Sequence, residues 1–188
     1  MWSKLLVITL LFFIIALLQF SFLPYFSIAG FSANLVFVLF FMLIYFSYPP
    51  VASEVRRHSN YEIFFLIITA GFFLGVYLPY GFGVSIITLF FVYCAKKLAI
   101  HFMGEFKEPN SIFYFLPIFV ICFMVYNVIF HTFATYYNGF SLSSLRSQFE
   151  LLPTIINILY HCVIISLVFY GYKKIRSLIY NDRQLKLL

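Results

Sequence analysis

The sequence predicts an all-α, polytopic membrane protein: one integral-membrane domain over residues 1–188, a bundle of six transmembrane helices with both termini cytoplasmic. Three observations carry that prediction. Of the 188 residues, 64% are hydrophobic and 10% charged, with a mean hydropathy of +1.01. A soluble domain carries about 25% charged residues, so too little polar surface is present to clothe a globule in water. Six apolar runs come close to the roughly 20 residues that span a bilayer. Finally, the basic residues alternate between crowded and nearly empty connections.

The runs are 4–23, 33–48, 61–78, 83–102, 112–133 and 152–172. The first opens with Lys4 and is followed by Ser27-Ile28-Ala29, which resembles a cleavage site. Its apolar stretch from Leu5 to Leu23 exceeds the roughly 7–15 residues of a signal core, so an uncleaved first helix is expected. The outer connection 24–32 is itself apolar and is expected to hug the membrane surface.

The third and fourth runs meet in GFFLGVYLPYGFG, from Gly71 to Gly83. Gly71 and Gly75 form a GxxxG, a spacing that lets another helix approach closely. Pro79, Gly81 and Gly83 punctuate a tight turn. These five residues form the candidate helix-packing and partner interface. In the connection 134–151, Asn138-Gly139 reads as a turn. Leu142, Leu145 and Phe149, three and four apart, predict a short amphipathic helix in the interface. Pro153 suits the first turn of the last span.

Lys4, Arg56, Arg57, Lys96, Lys97, Lys107, Lys173, Lys174, Arg176, Arg183 and Lys186 all fall on one side of the six-span arrangement. Only Arg146 falls on the other, so eleven of the twelve basic residues mark the cytoplasmic face. Arg56, Arg57, Lys96, Lys97, Lys173 and Lys174 are the candidate cytoplasmic basic set. The net charge of +6 follows from topology and needs no nucleic-acid partner; the lipid bilayer is the partner it implies. The tail after Tyr172 suits anionic headgroups, at about 1 kcal/mol per basic residue near the surface.

Little in the runs can do chemistry. There is no carboxylate pair for acid–base work, no HExxH, no nucleotide loop, and no acid or base at the middle of any run. Glu54, Glu62, Glu105, Glu108 and Glu150 sit near helix ends without forming a set. Cys94, Cys122 and Cys162 lie in apolar runs and read as packing residues. No catalytic residue, metal or cofactor is expected. The remaining polar groups are Asn127 and His131 in the fifth run and Asn157 and His161 in the sixth, each pair four apart on one helix face. They read as inter-helix hydrogen-bonding groups, or as the lining of a cavity.

The stretch Gly71–Gly83 resembles the signature region of the rod shape-determining protein MreD family: Gly71 opens the pattern, Phe82-Gly83 closes it, and Ser85 and an apolar run follow. LLQFSFLPYF at 17–26 resembles that family's first-helix ending, and ANLVFVLFF at 33–41 its second-helix start. The chain departs from the family at Gly75 and Asn34, where Asp is common, at Ala33, where Pro is common, and at Pro79, which comes early in the turn. The resemblance implies a non-enzymatic scaffold or adaptor of the bacterial cell-wall elongation machinery, in the cytoplasmic membrane. Its implied partners are an MreC-like single-span protein, MreB and wall-synthesis enzymes. It also implies an alternative, the substrate-binding subunit of a vitamin-type, energy-coupling factor transporter, whose fold the family is thought to share.

Overall fold

The computed structural model describes residues 2–27, 32–47, 60–76, 81–103, 111–137 and 151–185. Their regular structure is entirely helical: α1 (Trp2–Ser21), a 3-10 turn (Leu23–Phe26), α2 (Leu35–Ser47), α3 (Asn60–Gly75), α4 (Gly81–Met103), α5 (Ile112–Tyr137) and α6 (Leu151–Leu185). Four of these helices, α1, α4, α5 and α6, are long and apolar enough to cross a membrane. The expected runs 33–48 and 61–78 become shorter helices. The 13 residues of α2 and 16 of α3 reach about 20 and 24 Å at 1.5 Å per residue, against a hydrocarbon core of about 30 Å.

The shortest α-helix among the described residues is the centre of the fold. α2 reads LVFVLFFMLIYFS, apolar all round, and a helix without a polar face belongs inside a bundle. Val36, Phe37, Val38, Phe40, Phe41, Met42, Ile44 and Tyr45 are all buried.

Rings set the contact between α2 and α5. Phe37 meets Phe123 at 5.6 Å and Tyr126 at 4.7 Å; Phe41 meets Phe119 at 5.1 Å; Tyr45 meets Phe115 at 4.8 Å. Each step of four residues along α2 is matched by a step of four back along α5, the ridge spacing of two antiparallel helices. In lipid, helices associate by packing rather than by escape from water, and tilted or edge-on ring pairs each add about 0.5–1.5 kcal/mol. α6 continues the stack, with His161 on Phe123 at 4.4 Å and Phe169 on Phe115 at 4.7 Å.

α3 and α4 pack as an antiparallel hairpin by the opposite means, an absence of side chain. A Cβ on Gly71 would lie 2.5 Å from Ile86 Cγ1, and one on Gly75 would overlap Phe82 Cα. The GxxxG is therefore used within the chain, between α3 and α4. Gly81 opens α4 with φ +76, a conformation that favours glycine, whereas Gly83 has open space around it. Pro153 falls in the first turn of α6. Pro79, Arg56, Arg57, the Asn138-Gly139 turn and the amphipathic segment around Leu142–Phe149 lie outside the described residues.

The antiparallel pairings sort residues to two ends of the bundle. Gln19, Asn34, Gly75, Phe82, Tyr126 and Asn157 lie towards one end. Lys4, Ile44, Ile63, Lys96, Lys97, Tyr114 and Lys173 lie towards the other.

Candidate functional site

The first N–H groups of any helix have no intrahelical partner, and hydrocarbon offers no water in compensation. α2 begins inside the bundle, so its orphan donors need side-chain acceptors. Four side chains meet there. Asn34 is the N-cap: its Oδ1 accepts from the Phe37 N–H at 3.0 Å, and its Nδ2 donates to the Tyr126 hydroxyl at 3.0 Å. The Asn34 N–H donates to His161 Nε2 at 3.0 Å, and the Val36 N–H donates to Gln19 Oε1 at 2.9 Å. Because Nε2 accepts, the imidazole carries its proton on Nδ1, which donates to the Asn157 carbonyl at 2.9 Å. Residues from α1, α5 and α6 thus hold the N-terminus of α2.

Of the residues singled out in the sequence, His161 is at the centre of this cluster and is 2% exposed. Asn157 contributes its backbone carbonyl, while its Oδ1 is buried and accepts no hydrogen bond. Asn127 and His131 are not brought into it. Asn127 Nδ2 donates to the Phe123 carbonyl of its own helix at 2.8 Å. His131 stands one turn further on, its carbonyl accepting from Thr135 and its ring beside Phe130. Four hydroxyls elsewhere are spent in the same local way: Thr9, Thr88, Thr132 and Ser166 each donate to the carbonyl four residues back, whereas Ser85 Oγ is buried without a partner.

The reading of the sequence missed Gln19, Asn34 and Tyr126 as members of one site. The signal for Asn34 was present: an Asn directly before an apolar run is an N-cap pattern. Gln19 and Tyr126 had no local signal, since their role depends on which helix α2 sits between.

At its other end α2 meets Lys96. Lys96, one of the candidate cytoplasmic basic residues, stands at the same end of the bundle as Lys97 but is buried. It lies within α4, is 2% exposed, and its Nζ donates to the Ile44 carbonyl near the C-terminus of α2. That carbonyl is among the four a helix leaves unpaired, and a cation there complements the helix dipole. Cys122 lies close by, its thiol directed at the Val92 carbonyl at 3.8 Å. Lys97, Lys173 and Lys174 are exposed, in keeping with a basic face.

The two neighbouring lysines should therefore respond differently to loss of charge. Lys96→Met removes a donor and strands a buried carbonyl, so it should lower stability by about 1–3 kcal/mol. Lys97→Met, at an exposed position, should stay within about 0.5 kcal/mol. Unfolding of the purified variants in one detergent checks this; equal effects would remove the capping role.

Among the described residues, no three His, Cys, Asp or Glu are grouped to hold a metal ion. The arrangement around Asn34 and His161 binds a helix end: Gln19 Oε1, Asn34 Oδ1 and Nδ2, the Tyr126 hydroxyl and both ring nitrogens of His161 are engaged there, while Asn157 Oδ1 is buried without a partner. No protein-family model matches the chain, and no curated protein or solved structure matches it.

Proposed function

We propose that this protein is a non-enzymatic scaffold of the bacterial cytoplasmic membrane, crossing it six times with both termini cytoplasmic and serving the cell-wall elongation machinery by lateral helix packing. The observation that carries the scaffold reading is the use of the interior polar groups. Gln19, Asn34, Tyr126 and His161 are spent on anchoring α2, which leaves a packed aromatic bundle as the main product of the sequence. The resemblance at 17–26, 33–41 and 71–83 to the MreD family supplies the machinery and the partners: an MreC-like single-span protein, MreB and wall-synthesis enzymes. With the GxxxG engaged between α3 and α4, the partner-facing surfaces are the outer sides of α1 and α6. There Leu6, Leu10, Leu17, Leu159, Val163 and Leu167 are exposed.

Affinity purification from native membranes in mild detergent, with mass spectrometry of what is retained, tests this reading. Recovery of a single-span partner or of wall-synthesis enzymes is expected, and Leu10→Trp with Leu17→Trp on α1 should reduce it. A second reading, the substrate-binding subunit of a vitamin-type transporter, draws on one feature: the buried, unpartnered Asn157 Oδ1 beside His161. Recovery of ATP-binding subunits with a coupling membrane protein would favour it and overturn the scaffold.

A further inference from the structure

A groove of about 150 Å³ opens on the outer side of the α3–α4 hairpin, lined by Ile63, Phe64 and Ile67 from α3 and by Phe90, Tyr93 and Lys97 from α4. Its lining is ordered along the helix axis. Because α3 and α4 run antiparallel, Ile63 and Lys97 stand towards one end, with Ile67 about 6 Å deeper along α3 and Phe90 about 10 Å deeper along α4 at 1.5 Å per residue. The shallow end carries the cation, with Lys97 Nζ held 4.9 Å from the centre of the Tyr93 ring. Beyond the cation the lining is aliphatic and aromatic, with Phe64, next to Ile63 on α3, and Phe90, deeper on α4, about half exposed at 55% and 43%.

The shallow end coincides with the basic end of the bundle, where Lys4, Lys173 and Lys174 are also exposed. Glu62, the acid in the first turn of α3, does not neutralise it. At 100° per residue, Glu62 points about 150° away from the direction shared by Ile63, Phe64 and Ile67. Lys96 is turned away too, into the bundle. A cation at the interface end, continuous with an apolar slot towards the membrane centre, matches a molecule that is anionic at one end and hydrocarbon at the other.

We infer that this groove is a site for an anionic phospholipid, its phosphate on Lys97 and the upper part of one acyl chain between Phe64 and Phe90. The cation–π contact holds the ammonium over Tyr93 at the mouth, so the headgroup meets a placed charge and not a free-moving one. The site is independent of the scaffold reading, since it uses no partner protein.

Native mass spectrometry of the detergent-purified full chain, titrated with phosphatidylglycerol or phosphatidylcholine, tests it. The wild type should retain phosphatidylglycerol in preference. Lys97→Gln should weaken that retention about five-fold, the value of one interfacial lysine, and Lys97→Arg should restore it. Lys173→Gln, exposed on α6 and away from the groove, should weaken it less than Lys97→Gln. Phosphatidylglycerol carrying a photoreactive group in its acyl chain should label the peptides containing Phe64 or Phe90. Unchanged retention in Lys97→Gln, equal loss in Lys173→Gln, equal retention of both lipids, or labelling spread over α1 and α6 would each overturn the site.

Discussion

Gly75→Leu should prevent the bundle from forming, and Gly75→Ala alone should cost about 2–4 kcal/mol, the upper range for overpacking. The obstacle is backbone. A Cβ at position 75 would overlap Phe82 Cα and stand 2.6 Å from its nitrogen and 2.7 Å from its Cβ. No rotamer change moves those atoms, so α3 and α4 must separate along their length. Gly71 is tight for the same reason, although its nearest neighbour is the side-chain atom Ile86 Cγ1 at 2.5 Å, and Gly71→Ala should cost less. Gly83→Ala is the control. Nothing lies within 4 Å of its Cβ, and alanine favours a helix over glycine by about 1 kcal/mol, so this variant should match or exceed the wild type. Thermal unfolding in detergent, with the amount of monodisperse protein recovered from membranes, measures all four. A Gly75→Leu protein as stable as the wild type would mean that α3 and α4 are not apposed at these glycines.

That contact was legible in the sequence because glycines four apart on an apolar helix have a narrow physical use, the close approach of a second backbone. A GxxxG next to a turn, between two apolar runs, has one nearby helix to admit. At position 75 no side chain fits against Phe82. Asn34 is among the best N-cap residues and supplies the acceptor that Phe37 uses. The aromatic register of α2 on α5 was not legible, even though Phe37, Phe41 and Tyr45 recur at the right spacing. With 28 Phe and 15 Tyr in the chain, many such series exist, and only the fold selects one. The burial of Lys96 was not legible for another reason. Basic residues near a helix end usually reach the interface, yet Lys96 and Lys97 stand about 100° apart on α4. One therefore faces α2 while the other faces outwards.

Asn34→Leu should be the most damaging polar-to-apolar change, lowering stability by about 2–4 kcal/mol from two losses that add. The N-cap, the bond that satisfies the Phe37 N–H, is worth about 0.5–2 kcal/mol, and stranding the Tyr126 hydroxyl adds about 1–3 kcal/mol. Inter-helix hydrogen bonds in membranes average only about 0.6 kcal/mol, because a chain unfolded within lipid finds other partners. That smaller figure should govern Tyr126→Phe, which removes one hydroxyl and leaves the cap in place. It should not govern Asn34→Leu, because a backbone donor at a helix start has no rotamer with which to seek a substitute. Asn34→Ser separates the two losses: serine caps well but cannot donate to Tyr126 from the same place. The expected order of stability is wild type, then Tyr126→Phe and Asn34→Ser, then Asn34→Leu, read from unfolding in one detergent. The double variant Asn34→Ser/Tyr126→Phe should cost less than the sum of its parts, since the 3.0 Å contact between them can be lost only once. Strict additivity would place Asn34 and Tyr126 out of reach of each other, and a harmless Asn34→Leu would mean that α2 does not begin inside the bundle.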